Sequence, residues 1–287
     1  MHRRDRTVDP GPAMPLVGPV EPPFLHVMTF NIRRRMTGHG WRRADRWRHR
    51  APAVRALLES EQPAILGVQE AMPDQAAAVL AALGTRYRFV GRGHGPRGAG
   101  EGCPVFFDTH RLELLDWEQS ALSDHPHAAG SRSWGNLIPR VVVTARFRDR
   151  RTGAALTALN THLDPFSPRS RMRSVDVLRA LVGRGPSILT GDLNAGETSR
   201  TLRALLDDGG LKDAWTAAAR RVTASVGTFA SYRPPRPTRP RIDWIVVTPD
   251  VQVERAGINT FRHRGVWPSD HLPVQAVVSV PVRRDTA

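Results

Sequence analysis

The sequence predicts a layered α/β or α+β fold in which sheets are covered by helices. Three observations carry this. Strand-like apolar runs recur along the chain and alternate with stretches of helical periodicity. Several of those runs, notably 64–69 and 187–190, are too apolar to have a wet face. Hydrophobic residues make up 40% of the 287 positions, enough for a sizeable core.

The elements follow in order. Residues 1–22 are rich in Pro, Gly and charge without periodicity, and read as a disordered tail with Met14 as an alternative start. No linker or internal repeat divides the chain after Phe24, so 23–282 read as one domain and 283–287 as a C-terminal tail. Residues 25–32 form the first strand. Residues 46–60 form a helix with Ala53, Val54, Leu57 and Leu58 on one face. A buried strand spans 64–69. The stretch 73–83 is a helix, with Pro73 in its first turn and Gly84 past its end. Strands lie near 86–91, 103–108 and 111–117, a polar loop over 123–136, and strands near 139–148 and 154–161. Residues 169–182 form a helix ended by Gly183, and 187–191 a strand. Short helices are expected near 199–207 and 213–219, then a Pro/Arg loop over 233–240 and strands near 241–248, 251–261 and 272–282.

Composition narrows the function. A net charge of +15 favours a polyanionic partner such as nucleic acid. Lys212 is the only lysine, so the excess is arginine, which a GC-rich coding sequence would also produce. The stretch Trp41-Arg42-Arg43 with Arg46-Trp47-Arg48 fits a backbone track with base stacking, but fits a helix start with two partly buried tryptophans better. Cys103 is the only cysteine, which excludes an intrachain disulfide and fits a reducing, cytoplasmic location. It sits in an apolar run and reads as an inert buried thiol. No run approaches the ~18 apolar residues of a membrane span. The basic start lacks the apolar segment of a secretory signal.

The chemistry is concentrated at strand ends. Gly191-Asp192-Leu193-Asn194 closes an apolar strand with a carboxylate and a carboxamide side by side. Asn31 ends the first strand and Glu70 the second, while Glu101 opens the strand containing Cys103. His162 follows Asn160-Thr161, Asp243 lies in Arg241-Ile242-Asp243-Trp244, and Asp270-His271 opens the last strand. Singly, each residue has a bland reading as a turn former, a loop start or a satisfied structural histidine. Converged, they would make an oxygen-rich site with two histidines and no thiolate. That donor set favours Mg²⁺ or Mn²⁺ over zinc and leaves room for a phosphate.

In their order, the motifs TFNIR, GVQE, GEG, NTHLD, GDLN, RIDWI and SDHLPV resemble those of the endonuclease/exonuclease/phosphatase superfamily over nearly the whole chain. The chain is most similar to an uncharacterised bacterial branch, through Trp47-x-x-Arg50, Gly91-Arg92-Gly93, Ser131 to Trp134, Arg140, Arg171 and Trp267-Pro268-Ser269. It departs from that branch at Pro165, Gly135 and Phe107, where histidine, aspartate and tyrosine are usual.

The resemblance implies a four-layer sandwich of two packed, mainly antiparallel sheets flanked by helices. It implies a metal held by Asn31, Glu70 and Asp270, with Mg²⁺ or Mn²⁺ as the cofactor. Asp192 would orient or deprotonate the attacking water, and Asn194 would hold that water or a phosphate oxygen. His271, fixed by Asp243, would contact the phosphate. His162, oriented by Glu101, would contact it from the other side or protonate the leaving oxygen. Arg171, Arg92, Arg140 and Trp134 are the implied substrate contacts. The expected activity is phosphoester hydrolysis by a monomer, as a phosphodiesterase or nuclease. The alternative is a phosphatase or phosphodiesterase for a small phosphorylated metabolite or lipid headgroup. A non-catalytic binding module would have shed these residues, and all of them are present.

Overall fold

The computed structural model describes residues 14–36, 42–183 and 185–282. In chain order its elements are β1 (Phe24–Asn31), α1 (Trp47–Glu61), β2 (Ile65–Gln69), α2 (Pro73–Leu83), β3 (Tyr87–Val90), β4 (Val105–Asp108), β5 (Leu112–Ala121), β6 (Val141–Asp149) and β7 (Ala155–His162). There follow α3 (Pro168–Val182), β8 (Ser187–Asp192), α4 (Arg200–Leu206), β9 (Lys212–Asp213), α5 (Ala214–Ala217), β10 (Arg220–Arg221), β11 (Asp243–Val247), β12 (Gln252–Ile258) and β13 (Val274–Ser279).

The strands form a seven-stranded sheet, β10-β12-β13-β1-β2-β4-β3, and a six-stranded sheet, β5-β6-β7-β8-β11-β9. Most neighbours are antiparallel. Of the three parallel pairs, β1–β2 and β7–β8 sit in the middle of the two sheets and β10–β12 at an edge.

Three apolar interfaces make four layers. Leu25, Val27 and Ile65 of one sheet meet Val143, Ala158, Ile188 and Ile245 of the other. The opposite face of β1 and β2, with Met28, Phe30, Leu66 and Val68, packs on Val54, Leu57 and Leu58 of α1 and Val79 of α2. The opposite face of β7 and β8, with Leu159 and Leu189, packs on Val175 and Leu178 of α3 and Leu202 and Leu205 of α4. The alternation along β1 is the period of two that gives a strand two faces.

Toward one end of the inter-sheet layer, apolar side chains give way to a buried polar belt. Gln69 donates to Thr29 Oγ1 (3.0 Å) and Asn160 Oδ1 (2.6 Å). Asn160 donates to the carbonyls of Val68 and Pro104 in the facing sheet, at 2.8 and 3.0 Å. Thr190 donates to Leu159 O at 3.0 Å. Gly67 makes this approach possible, because a Cβ there would collide with Thr190 and Asn160. Buried amides with their bonds made fix one register of sheet on sheet.

The structure departs from the sequence reading in two places. Residues 14–22, within the expected tail, run against the domain: Leu16, Val17 and Gly18 donate their amides to the buried Glu61 carboxylate at 2.7–3.1 Å. His26 Nδ1 meets Gly18 O at 2.9 Å. Residues 1–13 and 283–287 lie outside the described residues, as does Trp41. The expected helix at 213–219 is only α5, because Ala219 and Val222 donate to Val253 O and Ala256 O along β12. Edge pairing there outweighs local helix preference.

Candidate active site

The site follows from strand parity. Ile65, Ala158, Ile188 and Ile245 face the inter-sheet layer, so Gln69, His162, Asp192 and Asp243 face it too, at even steps along their strands. Register then aligns them: His162 pairs with Asp192 across β7–β8, and Asp192 with Asp243 across β8–β11. On the facing sheet Asn31 pairs with Gln69. Asn31, Glu70, His162 and Asp192 thus sit at the carboxyl ends of the central parallel strands, where α/β sheets open into a crevice. Gly191 allows the close packing of β8 on β7, since its Cβ would lie 2.6 Å from Thr161 O.

Three site residues leave their strands in the left-handed region: Arg33 (φ 55°), Glu70 (φ 60°) and Asn194 (φ 48°). Such backbone is uncommon for non-glycine residues and concentrates at functional sites. Here it turns Glu70 Oε2 to accept from the Arg34 amide (3.0 Å) and brings the Asn194 amide to Asp192 Oδ1 (3.0 Å).

Asn31 joins the two halves of the site, donating from Nδ2 to Glu70 Oε1 (3.1 Å) and Asp192 Oδ2 (2.9 Å). Burial disfavours charge on Glu70, but attraction to His162 and Arg33 and the Arg34 amide outweigh it, holding the carboxyl at about 2. Asp192 is almost fully buried. Burial, then the neighbouring Asp243, push its carboxyl above the usual range.

The two histidines differ in charge. Burial holds His162 at about 4 despite Asp192 nearby, with Arg140 adding to the depression. Asn194 Nδ2 donates to Leu163 O (2.9 Å), which fixes the carboxamide, and points the same nitrogen at His162 Nε2 (3.0 Å). His162 Nε2 is therefore an acceptor and Nδ1 carries the proton. His271 is also buried, which disfavours charge, but Asp243, Asp192 and the bond to Asp243 raise it well above the usual histidine range. Its Nδ1 donates to Asp243 Oδ2 at 2.9 Å, and its Nε2 lies 3.7 Å from Asp192 Oδ2. Thr228 Oγ1 accepts from the Ile242 and Asp243 amides (2.9 and 3.1 Å) and sets the start of β11.

Glu70, His162, Asp192, Asn194 and His271 line one cleft of about 490 Å³, together with Arg33, Arg34, Glu101, Ile138, Arg140, Pro165, Phe166, Phe229, Ile242 and Asp270, while Asn31 and Asp243 lie buried behind them. Of the expected substrate contacts, only Arg140 reaches it; its Nε has an ion pair with Asp164 at 3.5 Å but no hydrogen bond. Arg171 instead donates to Asp164 O (2.7 Å) and lines a separate surface hollow beside α4. Arg92 is exposed outside the cleft. Trp134 is buried in the α3 interface, donating Nε1 to Asp124 (2.8 Å), so it packs rather than contacts substrate. Glu101 lies in the cleft with His162, but its ion partner is Arg34 (3.6 Å), and among the described residues it makes no hydrogen bond to His162. Burial and Glu70 raise its carboxyl.

Sequence reasoning gave no site role to Arg33 and Arg50, which it quoted only as motif residues, and missed Phe229. Arg33 lies within 3.5–3.6 Å of Asp45, Glu70 and Asp270. Arg50 is fully buried and donates to the carbonyls of Ile32, Pro268 and Arg33 at 2.6–3.0 Å. Phe229 stacks on His271 with ring centroids 5.0 Å apart. Arg33 closes the motif TFNIR and opens a run of three arginines, and nothing in that run says which one turns into the site.

The donors fit a hard divalent cation. Glu70 and Asp270 offer carboxylate oxygens on the rim, and the buried Asn31 Oδ1, which accepts from the Arg33 amide (2.9 Å), offers a second lone pair behind them. Arg33 approaches both carboxylates at 3.6 Å, beyond hydrogen-bond reach, and its buried Nε has no hydrogen-bond partner. The carboxylates therefore keep lone pairs for a metal. Asp192, Asp243 and His271 also bring potential ligand atoms within 4.8 Å of one another. There His271 Nδ1 is bonded to Asp243 (2.9 Å), which leaves Nε2 as its one ring atom for a metal.

The sequence profile of the Endonuclease/Exonuclease/phosphatase family matches residues 28–271. Comparison with curated proteins gives no match. Among solved structures, the endonuclease/exonuclease/phosphatase from Bacteroides vulgatus is 29% identical, with a TM-score of 0.83 over 90% of this chain and 99% of that one. The mannosyl-6-phosphatase of Bacteroides thetaiotaomicron is also 29% identical, with a TM-score of 0.80 over 88% and 99%. The human Nocturnin catalytic domain with bound sulfate anion, 20% identical with a TM-score of 0.67 over 90% and 93%, shares the fold. Enzymes of this family generally depend on a divalent metal. The chain belongs to the endonuclease/exonuclease/phosphatase family and is a phosphoester hydrolase.

Proposed function

We propose that the chain is a Mg²⁺-dependent phosphodiesterase acting on nucleic acid by in-line attack of water on phosphorus. The observation that carries this is the pair of bonds from Asn31 to Glu70 and Asp192, which ties a metal-binding rim to a buried base beside a charged histidine. Mg²⁺, or Mn²⁺ in its place, held by Glu70, Asp270 and Asn31, would neutralise charge on the phosphoryl oxygens. Asp192, with its affinity for protons raised, takes the proton of the attacking water. Asn194 fixes the neutral form of His162, whose Nδ1–H can donate a hydrogen bond to the leaving oxygen, which takes its proton from solvent. His271, charged and held by Asp243, donates to a phosphoryl oxygen. Exposed Phe166 and Phe229 on the cleft wall suit a substrate with groups beyond the phosphate.

In this reading one chain supplies the whole site, so a monomer suffices, and the lone buried Cys103 fits the cytoplasm. A second reading, hydrolysis of a small sugar phosphate, is favoured by the likeness to the mannosyl-6-phosphatase.

The test is a substrate panel: bis(p-nitrophenyl) phosphate, a single-stranded oligonucleotide, p-nitrophenyl phosphate and mannose 6-phosphate, each with Mg²⁺ or chelator. Diester hydrolysis should require metal and fall ~10²–10³-fold in Asp192→Ala and His271→Ala. Turnover of the monoesters with inert diesters would establish the second reading. Undiminished turnover in either variant would sink the residue assignment.

A further inference from the structure

A second hollow of about 270 Å³ opens beside the cleft and shares Phe229 and Ile242 with it. Its outer wall is the loop 228–241, which carries Arg233, Arg236 and Arg239 and no acidic residue. All three side chains are exposed, and among the described residues none has an ion-pair or hydrogen-bond partner. The adjacent Arg241 shows the contrast. It is buried, paired with Glu197 (3.1 Å) and Asp213 (3.0 Å), and stacked 4.4 Å over Trp244. One arginine of this loop is spent on the fold, and three are left facing solvent.

The loop is pre-shaped. Ala230 and Ser231 donate their amides to Asp270 O (2.9 Å each), and Gly227 to Arg236 O (3.0 Å). Ser231 and Tyr232 hold left-handed φ values of 50° and 61°, and Tyr232 OH donates to Asp45 Oδ1 (3.1 Å). Pro234, Pro235 and Pro240 stiffen the hollow. At the junction, exposed Phe229 lies against His271. The order outward is thus site histidine, aromatic face, cationic pocket. A single nucleic-acid strand presents the same sequence of groups: phosphate, base, next phosphate.

We propose that this arginine hollow is the strand-binding subsite of the enzyme, taking the phosphates next to the scissile one in a single-stranded oligonucleotide. It rests on the phosphodiesterase reading of the adjacent cleft. The unpartnered guanidiniums supply the charge complementarity, and Phe229 sets the spacing between the reacting phosphate and its neighbour.

The test replaces Arg233→Gln, Arg236→Gln and Arg239→Gln together. A matched control replaces Arg148→Gln, Arg150→Gln and Arg151→Gln, which lie at the far end of β6 from the cleft. Binding of a labelled oligothymidylate is read by fluorescence anisotropy in chelator, which stops turnover, across a salt series. The hollow variant should bind about tenfold or more weakly, with its log–log salt slope smaller by about 2, as for three lost contacts to a single strand. The control should stay within about twofold. Turnover of bis(p-nitrophenyl) phosphate with Mg²⁺ should match wild type in both, because that substrate is too short to reach the hollow. Equal weakening in the two variants, weakening in neither, or a wild type that does not bind would overturn the subsite. Absent metal-dependent turnover of the small diester, with oligonucleotide binding intact, would instead overturn the phosphodiesterase reading of the cleft.

Discussion

The Asn31 carboxamide, at the end of β1 in one sheet, donates to Asp192, at the end of β8 in the other, across 2.9 Å. Its remaining amide hydrogen goes to Glu70 (3.1 Å), so one NH₂ group spans two buried carboxylates. Without it those charges would face each other with less screening. Asn31→Ala should therefore cost ~10²–10³ in kcat on a diester and weaken Mg²⁺ binding, read by calorimetric titration. Unchanged kcat and unchanged affinity would show that the bridge is incidental.

Glu70 gives a readout independent of activity. A ligand that binds only the folded state raises the melting temperature. Mg²⁺ should raise that of the wild type and leave Glu70→Gln unmoved, as followed by differential scanning fluorimetry. An equal shift in both would place the cation elsewhere.

Arg50 is a positioning residue for the rim. Its guanidinium ties Ile32 and Arg33, just past β1, to Pro268, just before Ser269 and Asp270. Arg50→Met keeps the volume but leaves those buried carbonyls without a donor, a cost of about 3 kcal/mol. The expected result in urea denaturation is a lower midpoint with an unchanged slope. In Mg²⁺ titrations the folded variant should also bind more weakly, because Asn31 and Asp270 lose their common anchor.

Stability should depend on pH through His26, far from the cleft. Burial holds it at about 4, against the pull of Glu61, while the unfolded chain titrates near 6.5. Between those values the unfolded state binds the extra proton. Stability is therefore lost as pH falls from 6.5 toward 4, by up to ~1.4 kcal/mol per pH unit. His26→Gln should flatten that limb in denaturation series at pH 7, 6 and 5. A variant limb as steep as wild type would assign the loss to other groups.

The layered fold and the strand-end residues were legible in the sequence because both rest on a period of two. A strand that buries Ile188 must turn Asp192 to the same side, and the sequence alone says so. What rests on packing was not legible. Trp134 and Arg171 stand near motif residues in sequence, but α3 draws one into its apolar interface and the Asp164 carbonyl holds the other away from the cleft. Glu101 enters the cleft as expected, yet its partner depends on where the Arg34 side chain lies after the turn at Arg33. The ordering of 14–22 depends on Glu61, an unremarkable helix-end acid until three amides converge on it.

The row His162, Asp192, Asp243 across β7, β8 and β11 has a further consequence. Its members are neighbours by count along each strand, and counting errors do not average out. Deleting one residue early in β8 would send Asp192 toward the helices and swing Leu193 into its place, without altering the composition of either. The protein should therefore tolerate volume-conserving exchanges at Ile188 and Leu189 while failing at any odd-numbered change in the strand's length. Its chemistry is guarded by the number of the strand's residues as much as by their identity.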